Sequence, residues 1–261
     1  MILVDNARLD KIKGMARRGL VHYKTNGPRF LKDMEAYLEE ARRVGREVGE
    51  IQIDARTGDW NFQHPLTKSV LEASFAAEMV RRRKPRTVHD IGSNLVFLAT
   101  LSSFVDVVGL DTRAVDFEKP GLRFMNIDAR RLPFRDEEIE FVTSLCVVEH
   151  IGLGRYGDTI DPLGDYRFIS EVRRCLRPGG VLIFSVPVAN EAALVFNAHR
   201  LYSLSQIDDL IEGFSIAEEA FIKAGQGLLS RDQTMRLMNG DAQDYLVWIG
   251  CLTKNLSKGD Y

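Results

Sequence analysis

Thr87-Val88-His89-Asp90-Ile91-Gly92-Ser93 is the stretch that decides the fold of this chain. A short apolar run ends in an acid and a glycine, and an apolar, helix-like segment follows from Leu95 to Leu101. A second apolar run, Val105-Asp106-Val107-Val108-Gly109-Leu110, then ends in Asp111. Strand, glycine turn, helix, strand, acid opens a nucleotide-binding α/β unit, in which the acid receives ribose hydroxyls. The glycines stop early, because Asn94, Leu95 and Val96 stand where a full glycine-rich fingerprint would continue.

Downstream, apolar runs keep alternating with helical segments. Strands are expected at Thr87–Ile91, Val105–Leu110, Leu122–Asn126, Phe141–Leu145, Val181–Val186 and Tyr245–Leu252, and helices at Leu95–Ser102, Asp165–Leu176 and Ser205–Glu212. Strands separated by helices make a doubly wound, mostly parallel sheet with right-handed crossovers. The first strands are almost wholly apolar, as strands covered on both faces must be.

Upstream, Thr67 to Arg83 reads as a helix with Val70, Leu71, Phe75, Met79 and Val80 on its apolar side. Its basic end, Arg81-Arg82-Arg83-Lys84, complements the helix dipole, and Pro85 stops it. Phe30, Met34, Tyr37 and Leu38 recur at helical spacing, followed by Val44 and Val48. Residues 1–66 are therefore expected to form a helical appendage with a connecting loop, and 67–261 the α/β domain. Trp60, Phe62 and His64 either line a pocket or anchor the appendage. The basic cluster Arg8, Lys11, Lys13, Arg17 and Arg18 lies among acids and reads as a solvated helix face, with an anionic surface as the alternative. The N-terminal helices also offer a surface for a homodimer.

Composition removes several classes. The 261 residues suit one large domain with an appendage. With 35 basic and 37 acidic side chains and a net charge of −2, there is no global electrostatic case for nucleic acid. Cys146, Cys175 and Cys251 are odd in number and set among apolar residues, which points to a reducing compartment. No apolar run reaches the roughly 20 residues of a membrane span, and Asp5, Arg8 and Asp10 interrupt any signal-peptide core. A soluble, cytoplasmic protein is the expectation.

In doubly wound sheets ligands sit beyond the carboxyl ends of the strands. Those ends carry Asp90-Ile91-Gly92-Ser93, Asp111-Thr112-Arg113, Asp128-Ala129-Arg130, Cys146-Val147-Val148-Glu149-His150 and Val186-Pro187-Val188-Ala189-Asn190. Four pieces, Asp90-Ile91-Gly92-Ser93, Asp111, Asp128-Ala129-Arg130-Arg131-Leu132-Pro133-Phe134, and Glu149-His150 followed by Leu176-Arg177-Pro178-Gly179-Gly180, resemble the class I S-adenosylmethionine-dependent methyltransferases. The likeness runs from about residue 86 to 190 and falls in the methyltransferase type 11-like branch that includes ubiquinone biosynthesis enzymes. Glu149 to Asp158 and Phe196-Asn197-Ala198-His199-Arg200 further resemble a poorly characterised branch associated with surface-polysaccharide synthesis.

The resemblance implies a seven-stranded Rossmann-like sheet and S-adenosylmethionine as cofactor. Asp90, Gly92 and Ser93 would form the cofactor turn, Asp111 with Thr112 would hold the ribose, and Asp128 with Ala129 the adenine. Cys146, at the fourth strand end, completes the cofactor set. Chemistry agrees: a carboxylate accepts two hydroxyls, and glycine lets backbone approach a ligand. Asp90, Asp111 and Asp128 also have an alternative as helix caps or loop acids.

His150, just beyond the fourth strand, is a candidate for assisting deprotonation of a hydroxyl acceptor, the alternative being a histidine that bonds a backbone carbonyl. His199 is a candidate to close the site from the other side, and Arg155 and Arg200 to hold a sugar phosphate or carboxylate. Asp158, Asp161 and Asp165 have oxygen-ligand spacing but lack the calcium-loop pattern, and no metal is expected; Asp165 is more simply a helix cap. The expected function is methyl transfer to oxygen or nitrogen of a small-molecule or glycan-type acceptor. A non-catalytic scaffold with a degenerate cofactor site is the rival, and a nicotinamide oxidoreductase is disfavoured because its diphosphate needs the glycine turn more.

Overall fold

The computed structural model describes residues 27–46, 48, 50–53, 63–223, 226–235 and 245–256. The N-terminal basic cluster, Trp60 and Phe62 lie outside the described residues, as does the side chain of His64. The chain runs α1 (Gly27–Arg43), β1 (Glu50–Ile53), α2 (Gln63–Arg83), β2 (Thr87–Ile91), α3 (Leu95–Leu101), β3 (Asp106–Asp111), β4 (Leu122–Asn126) and β5 (Ile139–Leu145). It continues through a 3₁₀ turn (Val148–His150), α4 (Gly164–Cys175), β6 (Leu176–Val188), β7 (Ala193–Phe196), β8 (His199–Leu201) and α5 (Leu204–Leu210). The last elements are β9 (Phe214–Lys223), β10 (Gly227–Leu229), α6 (Arg231–Met235) and β11 (Leu246–Lys254).

The main sheet has eight strands in the order β10-β9-β11-β6-β5-β2-β3-β4. Neighbours from β4 to β6 pair in parallel, whereas β11 is antiparallel to both β6 and β9. One strand more than expected is present because the three-residue β10 folds back on β9. The chain leaves β2 for β3 and β4 on one side and returns to β5 on the other, so the order reverses between β2 and β5. A crevice opens at the carboxyl ends of strands at such a reversal.

Alternation along β6 shows why the sheet is covered on both faces. Leu182 and Phe184 join one core with Ile91, Leu110, Val142 and Trp248, while Val181 and Ile183 join the other with Val88, Phe141 and Ile249. Side chains two residues apart share a face, so an unbroken apolar strand feeds two cores. The expected Pro-Gly-Gly turn is instead the irregular start of β6, where Gly179 takes φ +73° and the pairing with β5 shifts register.

Helix α2 packs through Ala76, Met79 and Val80. These share a face with Glu72 at four-, seven- and eight-residue spacing, which carries Glu72 inward to 3% exposure. Val70, expected on the buried side, is 63% exposed, because the packed face centres on the small Ala76.

The region before residue 66 is not purely helical: β1 pairs in parallel with β7, and β7 with β8, in a separate three-stranded sheet. Met34, Tyr37, Leu38 and Ala41 of α1 are buried with Leu153, Leu194 and Phe196. The apolar face of that helix is thus covered by its own chain. Among the described residues, no helix is long and apolar enough to cross a membrane.

Candidate functional site

The glycine turn is built by a carboxylate that never reaches the crevice. Asp90 is fully buried, accepting from Ser93 N at 3.0 Å and from Thr143 Oγ1 at 2.6 Å. Burial pushes its carboxyl up to about 6 against these hydrogen bonds. Asp90 therefore holds the turn closed and lines neither of the two cavities described below. Ser93 Oγ accepts from Leu145 N at 3.0 Å, tying the turn to the end of β5. Gly92 has φ +74°, and a Cβ there would lie 2.8 Å from Val147 Cγ1. Only glycine meets both conditions without strain.

The residues after Gly92 do not fill the crevice. Asn94 is extended (φ −70°, ψ 146°), and its side chain caps α3 by accepting from Phe97 N at 2.9 Å. Val96 then faces solvent at 77% exposure and Phe97 enters the core at 5%. Of Leu95, Val96 and Phe97, Leu95 alone is among the residues that line the two cavities described below.

Two adjoining cavities, of about 110 and 440 Å³, open at the reversal point. The first is lined by Asp111, Thr112, Asp128, Ala129, His150 and Tyr156, among others. The second is lined by Ser69, Glu72, Ser93, Leu95 and Leu98, among others. Gly92, Asp111, Arg113 and Cys146 belong to both.

Each acid at the end of β3 and β4 is engaged by the arginine two residues on. Asp111 Oδ1 accepts from Arg113 N at 2.8 Å and Nε at 2.9 Å, and Oδ2 from Nη2 at 2.7 Å. Asp128 accepts from Arg130 N, Nε and Nη2 at 2.9, 3.0 and 2.7 Å. Burial raises the Asp111 carboxyl, but the Arg113 hydrogen bonds and charge outweigh it and leave it below the usual range. Arg130 does the same for Asp128. Both acids are ionised at neutral pH.

His150 lines the first cavity, and its Nδ1 donates to Ala198 O at 2.5 Å. A carbonyl can only accept, so the proton sits on Nδ1 and Nε2 keeps its lone pair. Burial pushes the imidazole down to about 3, so the ring is uncharged. Glu149 Oε1 lies 3.7 Å from that Nε2, and burial pushes the Glu149 carboxyl up to about 8. Tyr156 stands edge-on to His150 with centroids 5.7 Å apart, and the Arg113 guanidinium lies 5.4 Å from the Tyr156 ring centre.

Cys146 closes β5 with φ +51°, and its Sγ donates to Glu72 Oε1 at 2.8 Å. Ser185 Oγ donates to the same oxygen at 2.5 Å. Burial above all pushes the Cys146 thiol well up, so it remains a thiol.

His199 lines neither cavity, its ring standing 6.3 Å from His150. Arg200 is 3% exposed and donates to Ile151 O at 2.7 Å, with Asp165 3.6 Å from its Nε; it is a structural cation, inaccessible to a sugar phosphate. Arg155 lies over the Tyr156 ring at 5.7 Å. Asp165 sits inside α4 rather than capping it, and binds Arg46 at 2.6 and 2.8 Å and the Tyr202 hydroxyl at 2.9 Å. Asp161 accepts from Arg167 at 2.6 Å, and Asp158 from Gly152 N at 2.7 Å, so the three carboxylates serve separate partners.

A family model described as a Caenorhabditis protein of unknown function, DUF268, matches residues 126–231. No curated protein matches. Among solved structures, the 1,6-didemethyltoxoflavin-N1-methyltransferase of Burkholderia thailandensis, holding 1,6-didemethyltoxoflavin and S-adenosylhomocysteine, aligns with a TM-score of 0.53 at 12% identity, over 90% of this chain and 93% of that one. The fold is that of a class I methyltransferase. A methyltransferase of Methanosarcina mazei is 16% identical over 69% of this chain and 98% of that one, with a TM-score of 0.48.

Glu72 and the two Asp-x-Arg forks were missed by sequence reasoning. The repeated spacing, Asp111-Thr112-Arg113 and Asp128-Ala129-Arg130, was a visible signal for the forks. Glu72 sits on a helix far upstream, and only packing brings it to Cys146.

Proposed function

We propose that this chain is an S-adenosylmethionine-dependent methyltransferase acting on oxygen or nitrogen of a small-molecule or glycan-type acceptor. The observation that carries the reading is the continuity of the two cavities through Gly92, Asp111 and Cys146, which suits one elongated ligand with a nucleoside end. The residues fit it. Gly92 leaves open a cradle that a Cβ would close against Val147. Asp111 offers an ionised carboxylate for the ribose hydroxyls, and Asp128 with the Ala129 backbone offers polar groups for the adenine.

When bound, the cofactor supplies an electrophilic methyl group on a sulfonium. The chain has to exclude water and orient the acceptor lone pair toward that methyl. His150 suits the orienting role, since its Nε2 lone pair accepts a hydrogen bond from an acceptor O–H or N–H and turns the nucleophilic atom into line. With its conjugate acid pushed to about 3, the ring orients better than it removes protons. The glycan end of the acceptor range rests on the likeness of the Glu149–Asp158 and Phe196–Arg200 segments to the polysaccharide-associated branch.

Calorimetric titration with S-adenosylmethionine and S-adenosylhomocysteine tests the reading, with Asp111→Ala as the control. Binding that the substitution abolishes, followed by transfer of labelled methyl to a hydroxyl or amine panel, is the expected result. No heat and no thermal shift at millimolar ligand would leave the non-catalytic scaffold as the better account.

A further inference from the structure

The second cavity is lined by Glu72, which the first does not share, and by Arg113, which belongs to both. Glu72, from α2, lines it while only 3% exposed. Its Oε1 takes both the Cys146 thiol and the Ser185 hydroxyl. Among the described residues, no donor is in hydrogen-bond contact with Oε2. Burial raises this carboxyl against the Cys146 and Ser185 hydrogen bonds, and a cationic ligand beside it would favour its ionised form. Lys68, one turn before Glu72 on α2, donates to Tyr245 O at 2.8 Å, and its charge acts to lower the Glu72 carboxyl. Arg113 also lines this cavity; its Nε and Nη2 engage Asp111, so Nη1 makes no bond within that fork. Asp90, the acid nearest the turn, has both oxygens bonded inside the protein and cannot serve.

We propose that Glu72 and Arg113 form a receptor for an α-amino-acid zwitterion at the far end of the ligand, Glu72 Oε2 taking the ammonium and Arg113 the carboxylate. This assignment rests on the methyltransferase reading, since S-adenosylmethionine joins a nucleoside to such a zwitterion. It also accounts for the early end of the glycines: side-chain charges from α2 and the β3 end hold what extra backbone amides would otherwise reach.

The test is calorimetry on the full chain with ligands cut back at that end. 5′-Methylthioadenosine lacks the amino-acid group, and decarboxylated S-adenosylmethionine keeps the ammonium alone. Glu72→Gln, which preserves the acceptor for Cys146 and Ser185, is expected to weaken S-adenosylhomocysteine by about 10- to 100-fold, the scale of a charge-assisted hydrogen bond. It should leave 5′-methylthioadenosine within about twofold, which also shows that the variant is folded. Arg113→Gln should weaken S-adenosylhomocysteine more than decarboxylated S-adenosylmethionine. Equal losses for all ligands, or no loss with S-adenosylhomocysteine on Glu72→Gln, would overturn the receptor while leaving the cofactor reading in place. Failure of the unaltered chain to bind any of the three overturns both.

Discussion

Arg113 closes on Asp111 as a fork, with Nε and Nη2 donating at 2.9 and 2.7 Å to the two carboxylate oxygens. The pair keeps Asp111 ionised at the edge of the crevice. In the proposed binding mode the two hydroxyls of a ribose would compete for the same oxygens, exchanging one set of donors for another. Asp111→Asn is expected to weaken 5′-methylthioadenosine by about tenfold or more, because a charge-assisted acceptor becomes a neutral amide. Asp128→Asn should have the smaller effect, its side chain being 51% exposed against 11% for Asp111. Calorimetry on the two variants checks the order.

Gly92→Ala combines two faults, a methyl 2.8 Å from Val147 Cγ1 and a backbone at φ +74°. A loss of about 1–3 kcal/mol is expected. Adding Val147→Ala should recover the steric part and leave the backbone strain. Urea unfolding of the single and double variants separates the two contributions.

Asp165 is the anion for two arginines, Arg46, which is partly buried, and Arg200, which is buried. Asp165→Ala should cost roughly 3–5 kcal/mol, since uncompensated buried charges remain. Burial alone would raise this carboxyl, but the Arg200 and Arg46 charges hold it below its ordinary 3.8. Its contribution is therefore complete above about pH 4 and is lost as the pH falls through its depressed value. Thermal melts between pH 5 and pH 2 should show this acid-side loss in the native chain and little of it in the variant.

Glu149 and Asp90 act in the opposite sense. Burial raises them from 4.5 to about 8 and from 3.8 to about 6. The folded state holds these protons more tightly than the unfolded chain, so stability falls as the pH rises through each interval. Between pH 6 and pH 8 the decline belongs mainly to Glu149. Glu149→Gln should flatten it, and a melting temperature that falls as steeply in the variant as in the native chain would contradict the assignment.

Local pattern located most of the main sheet. Thr87–Ile91 and Leu122–Asn126 are strands with the expected bounds, because each is a compact run between turn signals. Strand β9 was not anticipated: Phe214-Ser215-Ile216-Ala217-Glu218-Glu219-Ala220 mixes alanine and glutamate as a helix would, and pairing with β11 overrides that preference. The small β1-β7-β8 sheet joins Glu50 to Ala193, a distant pairing that leaves no local trace.

The sequence alone determined the succession of strands and helices from β2 to β6 and the placing of Gly92, Asp111, Asp128, Cys146 and His150 at strand ends, since periodicity and turn residues act between near neighbours. Tertiary structure alone decided which acids face the crevice. Asp90 is sealed between Ser93 and Thr143, while Glu72 is carried in from α2 by the packing of Ala76 and Met79. Burial and hydrogen-bond partners come from contacts across the fold, and they set both the charge of a carboxyl group and whether a ligand can reach it.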